Sequence, residues 1–187
     1  MIGRALRHHV ESFLACALPR VARFLPERTI RGGDDTPYLT KYTLMNLGKK
    51  VGRVHLHLFH RGDEDRELHD HPFDGISLVL VGGYVEERLV GEPLPLPLHG
   101  ADREGRLVVR KLSPGSVNVI RTSTFHRVEI PPGAVCWTLF VTGPIRRSWG
   151  FLGEEGFVPH RIFSARKERA RSEGFDKGFD QAKSDQA

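Results

Sequence analysis

Residues 68–74 read Leu-His-Asp-His-Pro-Phe-Asp, and this segment places two histidines, His69 and His71, at alternate positions. On an extended chain, residues two apart project from the same face, so both imidazoles point the same way. Neutral imidazole is the commonest protein ligand for iron, zinc, copper and nickel. The segment therefore predicts two ligands of one divalent metal ion on a short β-strand.

A third histidine, His126, stands at the head of a later predicted strand. Antiparallel pairing brings together residues that are distant in sequence, so His126 can complete the site. His55 and His57 share one face of another predicted strand and could hydrogen-bond to a ligand, but no motif spacing includes them. The histidines predicted to face solvent are His8, His9, His99 and His160.

Short segments with a period of two surround these histidines. The predicted strands lie at 54–59, 78–81, 84–90, 106–112, 117–120, 125–130 and 135–141. Many short strands separated by Gly and Pro indicate an all-β sandwich or barrel. Residues 91–100 contain three prolines, which lack the N–H that a central strand donates. That stretch is predicted to be a surface loop or a lip over the barrel mouth.

The histidine spacing resembles the two motifs of the cupin superfamily, G-x5-H-x-H-x3,4-E-x6-G and G-x5-P-x-G-x2-H-x3-N. In the first motif His69, His71 and Gly83 match, whereas Asp63 stands in the place of the leading glycine. The resemblance implies an all-β double-stranded β-helix, the cupin or jelly-roll barrel, over residues 37–152.

The second motif keeps its frame from Gly115 to His126. Its proline, glycine and asparagine positions are occupied by Arg121, Ser123 and Ile130. More narrowly, four segments are similar to a group of bacterial and phage-associated cupin-like proteins that has no settled activity. Those segments are residues 68–74, 82–87, 137–144 and 149–151.

The glutamate of the first motif is absent, because Ile76 or Gly75 occupies its place. The resemblance therefore implies a three-histidine site, like that of thiol dioxygenases, in place of the commoner site with three histidines and one glutamate. Asp74 lies two residues before Ile76 and could bind the metal or hydrogen-bond a ligand. We predict the supporting role for Asp74.

Three segments make up the predicted chain: a helical arm at 1–31, the barrel at 32–163, and a flexible or frayed helical tail at 164–187. The arm contains apolar residues at helical spacing, and its helix is predicted to end at Pro19 or soon after. The barrel, or a second copy of the chain in a homodimer, would cover the apolar face, and attachment to an anionic membrane surface is the alternative. The residues of that face are Ile2, Leu6, Val10, Phe13, Leu14, Ala17 and Leu18.

The net charge of +5 comes mostly from the arm, which carries six basic and two acidic residues, whereas the barrel carries sixteen of each. A neutral barrel argues against nucleic-acid binding.

Two distant cysteines form no disulfide framework and suit a reducing compartment. No apolar run approaches the roughly 20 residues of a membrane span. We predict a cytoplasmic protein without stable membrane insertion.

Several polar residues are placed near the predicted metal by strand alternation. Tyr84 and Glu86 share a strand face and, with Asp74, are predicted to carry catalytic proton transfer. Arg121 and Arg110 are predicted to bind a carboxylate or phosphate of a small-molecule substrate.

Three functions fit these observations. The first is a mononuclear non-haem iron oxygenase, with Fe(II) held by three histidines and a small polar substrate. The second is a metal-dependent isomerase, epimerase or lyase that acts on a sugar or small acid, with zinc, nickel or manganese as alternative metals. The third is a non-catalytic cupin that binds a small ligand. The fold hosts too many reactions to choose between them.

Overall fold

The computed structural model describes residues 2–31, 35–63, 67–91, 106–153 and 156–169. The chain begins with helix α1 (Ile2–Ala22), and residues 160–169 are helical again. Between them lie the strands β1 (Glu27–Arg31), β2 (Pro37–Asn46), β3 (Arg53–Phe59), β4 (Leu68–His69), β5 (Gly75–Val81), β6 (Tyr84–Val90), β7 (Arg106–Leu112), β8 (Val117–Ile120), β9 (His126–Glu129), β10 (Cys136–Thr142), β11 (Gly150–Gly153) and β12 (Gly156–Pro159).

These strands form two antiparallel sheets of six. The first sheet has the order β1-β2-β3-β10-β5-β8, and the second sheet has the order β12-β11-β4-β9-β6-β7. The eight central strands, β3-β10-β5-β8 facing β4-β9-β6-β7, have the order of a jelly roll, in which the chain passes repeatedly from one sheet to the other. The predicted all-β double-stranded β-helix is confirmed.

One apolar cluster fills the space between the sheets. It combines buried residues of both sheets, and Phe59 packs against it. Its members are Val79, Tyr84, Leu112, Val128, Ile130 and Cys136. The tight turn that joins β5 to β6 borders this cluster and needs a glycine at Gly82, because φ there is 74° and a Cβ would lie 2.2 Å from the carbonyl oxygen of Val135.

A second cluster lies on the outer face of the first sheet, where α1 covers it. Leu18 and Ala22 pack against Leu56 and Trp137. Because side chains alternate along a strand, the neighbours of Leu56 in β3, including His57, must point to the opposite, inner face. The outer cluster therefore fixes which side chains enter the barrel.

The helix continues past Pro19 and ends at Ala22, three residues after the proline. A proline in the last turn removes a single backbone hydrogen bond. Burial of Leu18 and Ala22 on the sheet holds that turn in place. The apolar face is only partly covered, since Leu6 and Phe13 are exposed.

The barrel sheets also include residues from beyond its predicted boundaries. Strand β1 lies within the predicted arm but pairs with β2 along its length. His160, which the sequence predicts to face solvent, stacks instead on Trp149, with the ring centroids 4.8 Å apart. The predicted lip at 91–100, with His99, lies almost wholly outside the described residues, as does most of the tail.

Neither cysteine of the chain forms a disulfide. Cys16 is exposed on α1, and Cys136 is completely buried in the inner cluster. Burial raises the pKa of Cys136 to about 12, so its thiol stays protonated near neutral pH. Among the described helices, none has the length and apolar character required to cross a membrane.

Replacing Leu18 by alanine is expected to lower the free energy of unfolding by about 2 kcal/mol, because the lost side chain leaves a cavity over Leu56 and Trp137. Leu6→Ala is the matched control. Leu6 lies on the same helix but is 64% exposed, and its change should cost less than about 0.5 kcal/mol. Urea unfolding of both variants measures the difference. Equal stabilities would show that α1 does not dock on the sheet.

Candidate metal centre

Three histidines meet at one end of the barrel interior. His69 ends β4 and lies directly opposite His126 at the start of β9, and His71 follows two residues after His69. One ring nitrogen from each histidine lies within 4.8 Å of the others. Within the part of the chain that the structure describes, no carboxylate or thiol joins this group. We call these residues the three-histidine cluster.

The spacing of the nitrogens fits a shared metal ion. Nε2 of His71 lies 2.9 Å from Nε2 of His126. Two nitrogen ligands that are each about 2.1 Å from a metal and at a right angle to one another would be about 3 Å apart. These two side chains are therefore already at the separation of neighbouring ligands.

Glu86 orients the His126 ring. Its Oε1 lies 2.7 Å from Nδ1 of His126, and the Glu86 side chain is completely buried. An ionised carboxylate can only accept, so Nδ1 of His126 carries a proton, and in the neutral imidazole the lone pair is then on Nε2. This is the carboxylate–histidine arrangement that fixes the tautomer of a metal ligand.

A buried hydrogen-bond network keeps Glu86 ionised. Oε1 of Glu86 also accepts from Nδ2 of Asn118 at 2.8 Å and from Arg88 at 3.0 Å, and Arg110 lies 3.4 Å from Oε2. Burial alone would raise the pKa of this carboxyl, but the hydrogen bonds from His126, Asn118 and Arg88 bring the pKa of Glu86 down to about 2.

His71 is held in the neutral form. Its burial lowers the pKa well below the usual value, and the proximity of His69 and His126 lowers it further. Phe73 stacks on its ring, with centroids 5.6 Å apart. A neutral imidazole in an apolar setting is the form that binds a metal.

A second carboxylate lies beside His69. Oδ2 of Asp63 is 3.8 Å from Nδ1 of His69, and the same oxygen accepts from the backbone N–H of Val128 at 2.5 Å. The Tyr38 hydroxyl donates to the other oxygen of Asp63. Asp63 is thus held rigidly between β9 and the histidine segment, where it can orient the His69 ring.

Asp70 anchors the segment from the other side. Its side chain is completely buried and points away from its two histidine neighbours, as strand alternation requires. It accepts a hydrogen bond of 2.8 Å from the backbone N–H of Gly150 and pairs with Arg147. Burial raises the pKa of Asp70 in spite of these contacts. These bonds hold the histidine segment against the second sheet.

Asp74 contacts residues outside the three-histidine cluster. Its Oδ1 accepts from the backbone N–H of Thr122 at 2.9 Å, and its Oδ2 lies 3.3 Å from Arg146. Its carbonyl oxygen accepts from the N–H of Gly143. Asp74 therefore joins the histidine segment to the loops before β9 and after β10. Its catalytic role stays a prediction.

Replacing Asp74 by asparagine is expected to leave the bound metal unchanged, since the carboxylate contacts an amide and a guanidinium, not a histidine. The amide keeps the shape and loses the charge. Metal content after dialysis, measured by plasma mass spectrometry, tests this expectation. A loss of 10-fold or more in metal affinity, of the kind seen when ligand-supporting contacts are removed, would make Asp74 part of the centre.

The other predicted site residues have distinct surroundings. Tyr84 is buried and accepts a hydrogen bond of 3.2 Å from Asn118, and burial raises its pKa, so the phenol is neutral. Arg110 reaches Glu86 and Asn118. Arg121 is exposed in the turn before β9, where its backbone bonds to Thr124. Roles for these residues in proton transfer or substrate binding stay predictions.

Three residues of the site were not predicted from the sequence: Asp63, Arg88 and Asn118. Arg88 could have been found, because it follows Tyr84 and Glu86 at strand alternation and therefore shares their inner face. Asn118 lies in a strand of the opposite sheet, and no spacing signal connects it with Glu86. Asp63 stands at a motif position normally held by glycine, and that position gives no sign of a side chain near the metal.

Comparison with solved structures finds similar folds at low sequence identity. A cupin-2 domain protein from Rhodospirillum rubrum is 14% identical, with a TM-score of 0.49 over 70% of this chain and 76% of its own. The DMSP lyase DddQ from Ruegeria pomeroyi is 14% identical, with a TM-score of 0.44 over 68% of this chain and 60% of the lyase. HEPD from Streptomyces albus, solved with Fe(II) and 2-hydroxyethylphosphonate, is also 14% identical, with a TM-score of 0.47 over 65% and 24%. No family model and no curated protein matches the chain.

The topology and the positions of the histidines agree with the resemblance to the two cupin motifs. The eight central strands have the jelly-roll order. His69, His71 and His126, which match the histidine positions of the two cupin motifs, converge inside that barrel. The fold is therefore a jelly-roll barrel that holds three histidines at the spacing of the cupin motifs.

Proposed function

We propose that this cupin is a mononuclear non-haem iron oxygenase that acts on a small polar substrate, with Fe(II) held by His69, His71 and His126. The observation that carries the proposal is the composition of the cluster. Three imidazoles converge, and no described carboxylate joins them. Imidazole ligands suit iron, and three of them leave adjacent positions for other ligands.

When bound, Fe(II) would supply the redox chemistry and the open coordination positions. The side chains of the protein hold and shield the site. Glu86 accepts a hydrogen bond from Nδ1–H of His126 and so directs Nε2 inward. Aromatic rings limit the access of water: Phe73 stacks on His71, and Trp149 and Phe151 pack around His69.

The environment of the acidic groups supports an oxygenase over proton-transfer chemistry. An efficient general acid or base has a pKa near the working pH. The pKa of Glu86 is about 2, and burial raises the pKa of Tyr84 above its ordinary value of 10. Both groups are therefore better suited to holding fixed charge and hydrogen bonds than to exchanging protons with a sugar or small acid.

Metal analysis combined with oxygen uptake tests the proposal. The full-length chain is purified without added metal, loaded with Fe(II) under anaerobic conditions, and mixed with panels of thiols and small acids in an oxygen electrode. We expect about one iron per chain and oxygen uptake that depends on one substrate. The control is the protein loaded with zinc. Tight zinc, nickel or manganese without oxygen uptake would favour an isomerase or lyase, and loose substoichiometric metal would favour a ligand-binding cupin.

A further inference from the structure

We propose that the inner wall of the first sheet beside the metal centre, formed by Lys41, His57 and Thr138, binds the anionic group of the substrate. We call these three residues the polar row. Its assignment to a substrate rests on the proposed function, but its capacity to bind an anion does not. The ligand class is a small acid that carries a carboxylate or phosphate at one end and a metal-binding group at the other.

The sheet register places the polar row side by side. Lys41 of β2 is paired with His57 of β3, and His57 is paired with Thr138 of β10. Their strand neighbours Tyr42, Leu56 and Trp137 belong to the outer cluster beneath α1, so the row faces the barrel interior. Three hydrogen-bonding side chains thus line one strip of the interior.

Each residue of the polar row has a polar atom without a hydrogen-bond partner among the described residues. Nε2 of His57 and Oγ1 of Thr138 are both buried without a hydrogen bond. No described residue forms an ion pair or hydrogen bond with the Lys41 ammonium. Leaving a buried polar group unsatisfied costs about 1–3 kcal/mol, so two such atoms beside an unpaired ammonium indicate a place for a bound ligand.

The charge of the wall specifies an anion. Lys41 is paired with Arg28 of β1 in the sheet register, and Arg53 lies on the adjacent strand. Burial and these two arginines lower the pKa of Lys41 to about 8. Burial lowers the pKa of His55 and of His57, and the Lys41 ammonium lowers both further. A carboxylate or phosphate would satisfy the ammonium through charge-assisted hydrogen bonds.

Two aromatic side chains connect the polar row with the three-histidine cluster. The His57 ring is 4.9 Å from the Phe140 ring, Phe140 is 6.1 Å from Phe73, and Phe73 stacks on His71. Two phenyl rings therefore line the space between the polar row and the three-histidine cluster. A short carbon chain packed on these rings could present its acid group to Lys41 and its other end to the metal.

The test titrates inorganic phosphate into the full-length chain after EDTA treatment and dialysis, with calorimetry as the readout. Removal of metal separates binding at the polar row from binding at the three-histidine cluster. Lys41→Met is expected to weaken phosphate binding about tenfold or more, the effect of losing a hydrogen bond to a charged group. Lys111→Met is the matched control, because Lys111 is an exposed lysine of β7. The phosphate affinity of this variant should equal that of the unchanged protein. A parallel titration with succinate shows whether a carboxylate serves as well as a phosphate.

Three further measurements test the proposal. Phosphate affinity should fall as the pH rises through about 8, because the ammonium is then lost. The Lys41→Met variant should also have a higher melting temperature, since it lacks an unpaired buried charge. The Thr138→Val variant, which keeps all charges, should bind phosphate severalfold more weakly. Unchanged binding in Lys41→Met, or no phosphate binding by the metal-free protein, would overturn the proposal. If the iron-loaded protein shows no oxygen uptake but phosphate binding still depends on Lys41, only the proposed oxygenase function is rejected.

Discussion

Replacing His126 by alanine is expected to remove most of the bound metal. The change deletes one of three nitrogen ligands and leaves a two-histidine site, which binds weakly. It also leaves the buried Glu86 carboxylate without the hydrogen bond from Nδ1–H of His126, in which Nδ1 lies 2.7 Å from Oε1. His69→Ala and His71→Ala should have the same effect on metal content. Metal per chain, measured by plasma mass spectrometry after dialysis against buffer, reports the loss.

His55→Ala is the matched control for these three variants. His55 also faces the barrel interior, from β3, but it is not a member of the three-histidine cluster. Its removal should leave metal content unchanged. Full metal content in His126→Ala would refute the three-histidine site, and a comparable loss in His55→Ala would mean that the ligand set is larger.

Replacing Glu86 by glutamine is expected to weaken both the fold and the metal site. Glu86 is a completely buried charge, and Arg88 and Arg110 depend on it for charge compensation. Removing one partner of a buried ion pair costs about 3–5 kcal/mol. Loss of the carboxylate behind His126 should also lower metal affinity about 10- to 100-fold. Urea unfolding and competitive metal titration measure the two effects separately.

The pH dependence of stability gives an independent check on Glu86. Its pKa is about 2 in the folded chain, below the ordinary value of 4.5. The folded state therefore binds this proton less readily than the unfolded state, and the carboxylate contributes stability above about pH 4.5 that is lost as the pH falls towards 2. Glu86→Gln should lack this contribution to acid sensitivity.

Glu87→Gln is the control at the neighbouring position. Glu87 pairs with Arg127 across β6 and β9, and both side chains retain contact with solvent. Its replacement should change stability by less than about 1 kcal/mol and leave metal affinity unchanged. Similar losses of stability and metal affinity in Glu86→Gln and Glu87→Gln would contradict the special position of Glu86 behind His126.

Strand alternation made most of the barrel predictable. The segments 84–90, 106–112 and 117–120 were predicted with the observed ends, because each has a clear period of two between turn residues. The three-histidine cluster was likewise predictable, since each histidine occupies a motif position. Strands β4 and β11 gave weaker signals, because β4 has only two residues and β11 has a glycine at each end.

The surroundings of the metal centre were harder to predict for a physical reason. Glu86 and Asn118 belong to different sheets, and their hydrogen bond depends on how the sheets close on each other. Alternation assigned Glu86 to the inner face but could not distinguish a proton donor from a residue that orients His126. The polar row was missed because register between β2, β3 and β10 is not visible in any one of their sequences.

His71 and His126 are 55 positions apart, yet their Nε2 atoms nearly touch across the closed barrel. An unfolded chain keeps the local His-x-His pair but loses the third nitrogen, so its affinity for a metal ion is much lower. By linkage, free metal at 100 times its dissociation constant would stabilise the native state by about 2.7 kcal/mol. Thermal denaturation of this protein should therefore depend on the concentration of free metal, with the midpoint rising as the buffer is supplemented and falling when a chelator is added.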